Sequence, residues 1–162
     1  MRSPSIRSTP GRTISLGVHA DSWAYTPDGR TVYVSDFGSS VTPISIRTGK
    51  AGKPIPLHMQ GGIGSMAITP DGRTLYVASF KGNKVLPISL ATNTAGKPLN
   101  APGEVLDLVM TPDGRNAYTF SSPVNNEQFV TPISTATSTA GEPIRTAPDS
   151  GVLVPGGQYT SY

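Results

Sequence analysis

The sequence predicts an all-β protein assembled from one repeated supersecondary unit. Three observations predict it. The pentamer Thr-Pro-Asp-Gly-Arg occurs at 26–30, 69–73 and 111–115, spaced 43 and 42 residues apart. A tyrosine follows each pentamer at a fixed distance (Tyr33, Tyr76, Tyr118), and a Val-x-Pro-Ile-Ser segment follows each tyrosine (41–45, 85–89, 130–134). No segment keeps helical spacing of apolar residues over ten positions.

The elements follow in order. The first strand of each unit, strand A, runs Ser22–Thr26, Ser65–Thr69 and Asp107–Thr111. Both of its faces are apolar: Trp23 and Tyr25 lie on one and Ala24 on the other, as do Met66 and Ile68 against Ala67, and Leu108 and Met110 against Val109. A sheet packed between two neighbouring sheets has that pattern. The pentamer is then a hairpin turn. Proline sets φ at its second position, aspartate bonds nearby backbone, and glycine takes the left-handed conformation that closes the turn. Turn chemistry accounts for Asp28, Asp71 and Asp113, so they are not read as catalytic carboxylates. Strand B is Thr31–Ser35, Thr74–Ser79 and Asn116–Ser121, and strand C begins at Val41, Val85 and Val130. The strand C prolines (Pro43, Pro87, Pro132) remove a ladder donor and predict a bulge or an unpaired position. A turn with Ala-Gly-Lys/Glu-Pro leads to strand D, centred on Ile55, Leu99 and Ile144. Four short strands per unit of this length are the blade of a β-propeller.

The expected organisation is a basic tail at 1–12 and a partial propeller at 13–162. Its repeats fall at about 13–57, 58–101 and 102–146, with a partial unit at 147–162, giving three and a half four-stranded antiparallel blades of an incomplete ring. Thr13–Leu16 aligns with a strand D; Gly151–Val154 and Gln158–Tyr162 align with strands A and B. A homodimer, or the remainder of a longer propeller chain, would complete the ring.

Composition excludes several classes. With no cysteine there is no disulfide framework or thiolate metal site. No apolar run approaches the ~18 residues of a membrane span, and the N-terminus lacks the apolar core of a signal peptide. The net charge of +3 comes from Arg2, Arg7 and Arg12; the remaining ten Lys/Arg meet ten Asp/Glu. A nucleic-acid face needs clustered charge on the folded body, so no nucleic-acid partner is expected.

Tyr33-Val-Ser-Asp36, Tyr76-Val-Ala-Ser79 and Tyr118-Thr-Phe-Ser121, each after its Pro-Asp-Gly-Arg hairpin, resemble the YVTN-type β-propeller repeat family, whose pattern closes on an asparagine that is Asp or Ser here. The resemblance covers residues 13 to about 146. It implies a binding platform or a frame for unrelated activities, commonly exported or surface-associated, with lactonases among the related propellers. It also implies that the D–A loops (17–22, 58–64, 102–106) and B–C loops (35–40, 79–84, 121–129) share the ligand-bearing face, the third B–C loop being the longest.

That face carries the candidate ligand-binding residues His19, Asp21, Asp36, His58, Lys81 and Glu104, with Lys84 and Asp107 nearby. They read first as solvated loop residues. Arg30, Arg73 and Arg115 recur at one position and are expected on an arc of the opposite face, where they could hold an anion. Phe37 and Phe80 recur at one loop position and are expected to pack between blades. No nucleophile elbow, catalytic triad order or phosphate-cradling loop occurs, and no cofactor is implied. The leading function is a non-catalytic interaction module for a protein or small-molecule ligand. The alternative is a lactonase-like, metal-assisted hydrolase with His19, His58, Asp36 and Glu104 as ligands.

Overall fold

The computed structural model describes residues 13, 20–36, 40–122 and 127–146. Expectations placed on 1–12, 14–19 (His19 included), 37–39 (Phe37 included), 123–126 and 147–162 lie outside the described residues. Within the described residues the protein is all-β and forms three antiparallel sheets, each a meander in sequence order. These are three blades of an incomplete β-propeller ring. Blade 1 contains β1 (Ala20–Tyr25), β2 (Thr31–Asp36), β3 (Ser40–Ser45) and β4 (Ile55–Pro56). Blade 2 contains β5 (Ile63–Ile68), β6 (Thr74–Ser79), β7 (Lys84–Ser89), β8 (Thr94–Ala95) and β9 (Leu99–Asn100). Blade 3 contains β10 (Glu104–Met110), β11 (Asn116–Ser122), β12 (Gln128–Ser134), β13 (Thr139–Ala140) and β14 (Ile144–Thr146). Among these residues no helix is long and apolar enough to cross a membrane.

Period-2 alternation places the core between the blades. Ala24, Tyr33 and Val41 of blade 1 meet Met66, Leu75, Val77, Leu86 and Ile88 of blade 2 in one apolar cluster. The other face of blade 2, with Tyr76, Ala78 and Val85, meets Val105, Leu108, Ala117 and Ile133 of blade 3. Blade 2 is thus covered on both faces, which is why β6 is buried from Leu75 to Ser79. Strands β1, β5 and β10 neighbour one another and form the inner edge.

The hairpins show why one pentamer recurs. Gly29, Gly72 and Gly114 have φ of +66°, +69° and +68°, and each donates its N–H to the threonine carbonyl three residues back at 2.8 Å. The threonine hydroxyl donates to its aspartate at 2.6 Å in all three copies (Thr26–Asp28, Thr69–Asp71, Thr111–Asp113), and the arginine N–H donates to the same oxygen at 3.0 Å. The threonine hydroxyl foremost, then that N–H, holds each carboxyl below its ordinary value of 3.8. A pKa lower in the folded than in the unfolded chain stabilises the fold above the unfolded value, and that contribution is lost as pH falls through the folded one. Stability should therefore decline below about pH 4. The triple variant Asp28→Asn, Asp71→Asn, Asp113→Asn should flatten the decline in thermal melts taken stepwise from pH 5 to 2; an unchanged acid limb would contradict this account of the turns.

The strand C prolines resolve into a break in strand D. The Pro43, Pro87 and Pro132 carbonyls accept from the Gly52, Gly96 and Gly141 N–H groups at 2.7–2.8 Å, so the side of each proline that lacks a donor faces strand D. Strand D leaves the ladder there. In blade 2, β8 pairs with Ile88–Ser89 and β9 with Lys84–Val85; in blade 3, β13 and β14 divide likewise. In blade 1 the first piece shrinks to one bridge, Ile44 with Ala51. A Cβ on Gly52, Gly96 or Gly141 would lie 3.0–3.3 Å from the proline ring, which accounts for the Gly of the Ala-Gly-Lys/Glu-Pro segment.

Candidate functional site

The site begins with a defect shared by all three inner strands. Pairing of strand A with strand B slips between Ala20 and Trp23, between Ile63 and Met66, and between Val105 and Asp107. Such bulges re-aim side chains at a sheet rim. In blade 1 the buried Ser35 hydroxyl holds the bulge by accepting from Ser22 N–H at 2.9 Å and donating to its carbonyl at 3.2 Å. In blade 2, Gly64 fits because a Cβ there would press on the Phe80 backbone at 3.2 Å.

The D–A and B–C loops share this end of the blades. Phe80 and Lys81 donate backbone N–H to the Gly62 and Gly61 carbonyls at 3.1 Å, and Val105 N–H reaches Gly82. Gly61, at φ +89°, leaves no room for a side chain against Lys81.

The three bulged strand starts and Phe80 enclose an open cleft of about 650 Å³. Blade 1 contributes Asp21, Ser22 and Trp23, blade 2 Gly64, Ser65, Met66 and Phe80, and blade 3 Leu106 and Asp107. Trp23, Phe80 and Leu106 are large, apolar and 58 %, 53 % and 46 % exposed. Ser65 ties the second blade to the third: its hydroxyl donates to Asp107 Oδ1 at 3.0 Å and accepts Leu108 N–H at 3.3 Å. The cleft can therefore hold an apolar group beside two carboxylates, those of Asp21 and Asp107.

The sequence-predicted residues divide. Asp21 and Asp107 line the cleft. Asp36 accepts Ser40 N–H at 2.9 Å and the Ser40 hydroxyl at 2.7 Å, and it does not line the cleft. His58 is exposed with φ +48°, Glu104 is exposed opposite Ser122, and Lys81 is exposed; none of the three lines the cleft. Lys84 is bonded to Asn100. Among the described residues no three histidine or carboxylate side chains converge as metal ligands would. Phe80 corrects the expectation of interblade packing, because the bulge behind it and Gly64 beside it turn its ring outward. Sequence reasoning missed Ser65 and Leu106; the one hint was Gly64 at the strand start.

On the opposite rim the hairpins follow one another, Gly72 against Pro27 and Gly114 against Pro70. Arg30, Arg73 and Arg115 thus recur along it, 84–85 % exposed, each with its Nε 3.8–3.9 Å from its own aspartate. Each guanidinium has a carboxylate beside it, which weakens the rim as an anion site.

The meandering four-stranded blades, inner strand A edge and loop face define the β-propeller class. No protein-family model matches the chain, and no curated protein matches it. Among solved structures it is similar to Kuenenia stuttgartiensis hydrazine synthase, at 25 % identity and a TM-score of 0.73 over 88 % of this chain and 39 % of that one. It is also similar to U3-55K (16 %, TM-score 0.68, 80 % of this chain and 40 % of that one) and to the WD40 repeats of RRP9 (17 %, TM-score 0.67, 80 % and 39 %). The chain spans about two fifths of the length of the solved structures it matches.

Proposed function

We propose that the chain is a non-catalytic propeller interaction module whose ligand sits in the cleft at the strand A starts. One observation carries this reading: Phe80 and Leu106, from blades 2 and 3, are exposed around a single cleft that Asp21 and Asp107 also line. Exposed apolar groups gathered at one place mark interaction sites more often than single ones do. The propeller itself assigns no activity; the site does. The YVTN-type repeat is part of the same proposal, supported by the Tyr33, Tyr76 and Tyr118 segments. So is the organisation into a tail at 1–12 and a propeller body at 13–162. The hydrolase reading gains nothing from the geometry, since His58, Asp36 and Glu104 do not gather into a ligand set.

The test uses the intact chain with a photocrosslinking amino acid at position 80 in the cleft or at position 73 on the hairpin rim. Adducts with a partner are expected from position 80, suppressed by Leu106→Glu. Adducts from position 73 alone would move the site to the other face. In parallel, millimolar zinc or calcium is expected to leave the melting temperature unchanged. A ligand at a hundred times its Kd stabilises by about 2.7 kcal/mol, so a clear rise with metal-dependent lactone hydrolysis would favour the enzyme.

A further inference from the structure

The three blades repeat one bulge but not its residues. At the first bulge position stand Asp21, Gly64 and Leu106, and at the second Ser22, Ser65 and Asp107. The hairpins, by contrast, keep Thr, Asp, Gly and Arg in all three blades. The changes at the bulge give the cleft two unlike sides and a floor. Blade 1 brings a carboxylate, blade 2 a small floor of Gly64 and Ser65, and blade 3 a second carboxylate. Strand β5 lies between β1 and β10, so the two carboxylates flank that floor from opposite sides.

Asp107 is the better fixed of the two. Its Oδ1 accepts the Ser65 hydroxyl at 3.0 Å and Leu108 N–H at 2.7 Å. Its Oδ2, on an exposed side chain, has no partner among the described residues. Asp21 is exposed too, and forms no hydrogen bond or ion pair among them. No lysine, arginine or histidine lines the cleft. The negative charge is therefore unanswered by the lining, while Phe80 and Leu106 add an apolar wall.

A guest that suits both features carries a positive charge on an apolar stem, which is the build of lysine and arginine side chains. The flanking carboxylates favour arginine. A guanidinium offers N–H groups along several edges of one plane, where an ammonium is a single point, and its plane also stacks on an aromatic ring such as Phe80. Sites for free small molecules bury most of the ligand; this cleft is open and suits a side chain presented from a larger surface.

We propose that the cleft receives an arginine side chain of a partner protein, its guanidinium between Asp107 and Asp21 and its stem against Phe80 and Leu106. This rests on the cleft being the ligand site. Ser65 is a positioning residue that acts through Asp107, holding the carboxylate that the guest meets.

Trp23 is the only tryptophan of the chain and lines the cleft, so its fluorescence reports on it. The probe is the capped pentapeptide Gly-Gly-Arg-Gly-Gly, titrated into the full chain beside counterparts with lysine or with citrulline, which keeps the shape of arginine without its charge. Arginine is expected to change the emission saturably in the millimolar range. Lysine should bind about twofold to threefold more weakly and citrulline about fivefold to tenfold more weakly. Added salt should weaken arginine and leave citrulline unchanged. Asp107→Asn keeps the oxygen that Ser65 and Leu108 address, so it should melt as wild type does and lose about threefold to fivefold in arginine affinity. Asp21→Asn should do the same. Ser65→Ala should weaken arginine in the wild-type chain but not in Asp107→Asn, which a merely structural role would not produce. Leu106→Glu should still weaken arginine, because it trades the stem contact for an unheld exposed charge of little worth. Equal affinity for arginine and citrulline, or wild-type arginine affinity in Asp107→Asn, would overturn the proposal. Crosslinks from position 80 that are indifferent to Asp107→Asn would keep the cleft as the ligand site and overturn arginine alone, whereas crosslinks from position 73 only would overturn both.

Discussion

Gly114→Ala is expected to be far more damaging than the same change at the equivalent glycines Gly29 and Gly72. The three residues share one backbone conformation, with φ of +66°, +69° and +68°, so the strain of placing a side chain there is common to all. It is worth about 1–2 kcal/mol for a residue forced left-handed. What differs is the neighbour. A Cβ on Gly29 meets nothing within 4 Å, one on Gly72 touches the Pro27 ring at 3.5 Å, and one on Gly114 would lie 2.5 Å from Pro70 Cδ. The last distance cannot be tolerated, and Pro70 is itself fixed in the preceding hairpin, so the two blades must part. A cost of about 3–4 kcal/mol follows, at the upper end of single-site effects. At roughly 2–4 °C per kcal/mol for a chain of this size, Gly114→Ala should melt about 6–16 °C below wild type. Gly29→Ala should melt only about 2–8 °C below. Asp71→Ala removes exposed turn bonds alone and should cost less than Gly72→Val. Calorimetric melts of the series give the order directly, and equal melting temperatures for the three glycine variants would show that the hairpins do not nest.

Thr119→Val with Thr131→Val is expected to act in the opposite direction. These residues are register partners on β11 and β12, each 1 % exposed, and neither hydroxyl has a hydrogen-bond partner among the described residues. Blade 2 has Val77 and Leu86 at the matching positions, both buried in the apolar cluster with blade 1. A buried hydroxyl without a partner costs about 1–3 kcal/mol, and valine keeps the shape of threonine while removing that cost. The double variant should be stabilised by about 2 kcal/mol, which is roughly 4–8 °C in melting temperature. The apolar clusters on the two faces of blade 2 would then match in kind. A lowered melting temperature would mean that the two hydroxyls are bonded in solution.

Much of this was legible in the sequence because the repeat compares the chain with itself. A turn seen three times separates its fixed residues (Thr, Pro, Asp, Gly) from positions that vary, and each fixed residue has a local role: the hydroxyl that bonds the aspartate, the ring that sets φ, the glycine at positive φ. Strand faces were legible for the same reason, since Ala24, Ala67 and Val109 alternate with larger neighbours. The break in strand D was only half legible. Pro87 announced a missing donor, but that it faces strand D depends on which edge of β7 the carbonyl addresses, and pairing alone decides that.

The cleft was less legible because it depends on bulges. The slip between Ile63 and Met66 turns Ser65 toward Asp107 and leaves Phe80 outside, and no residue type at those positions signals it in all three blades. Phe80 reads as a core residue by its chemistry and becomes an exposed one by local geometry. His58 and Glu104 do not line this cleft, since neighbouring loops in sequence need not bring their side chains to one place.

Among the described residues three blades stack in sequence order, with blade 2 enclosed between the other two. Amide hydrogen exchange on the full chain tests it most directly, since local protection follows burial and cooperative packing. The slowest amides should be those of Leu75–Ser79 and Val85–Leu86 in blade 2, with Trp23–Tyr25 of blade 1 and Phe129–Val130 of blade 3 exchanging markedly faster. Equal protection across the three blades would contradict the account, because it would mean that blade 2 is no more enclosed than its neighbours.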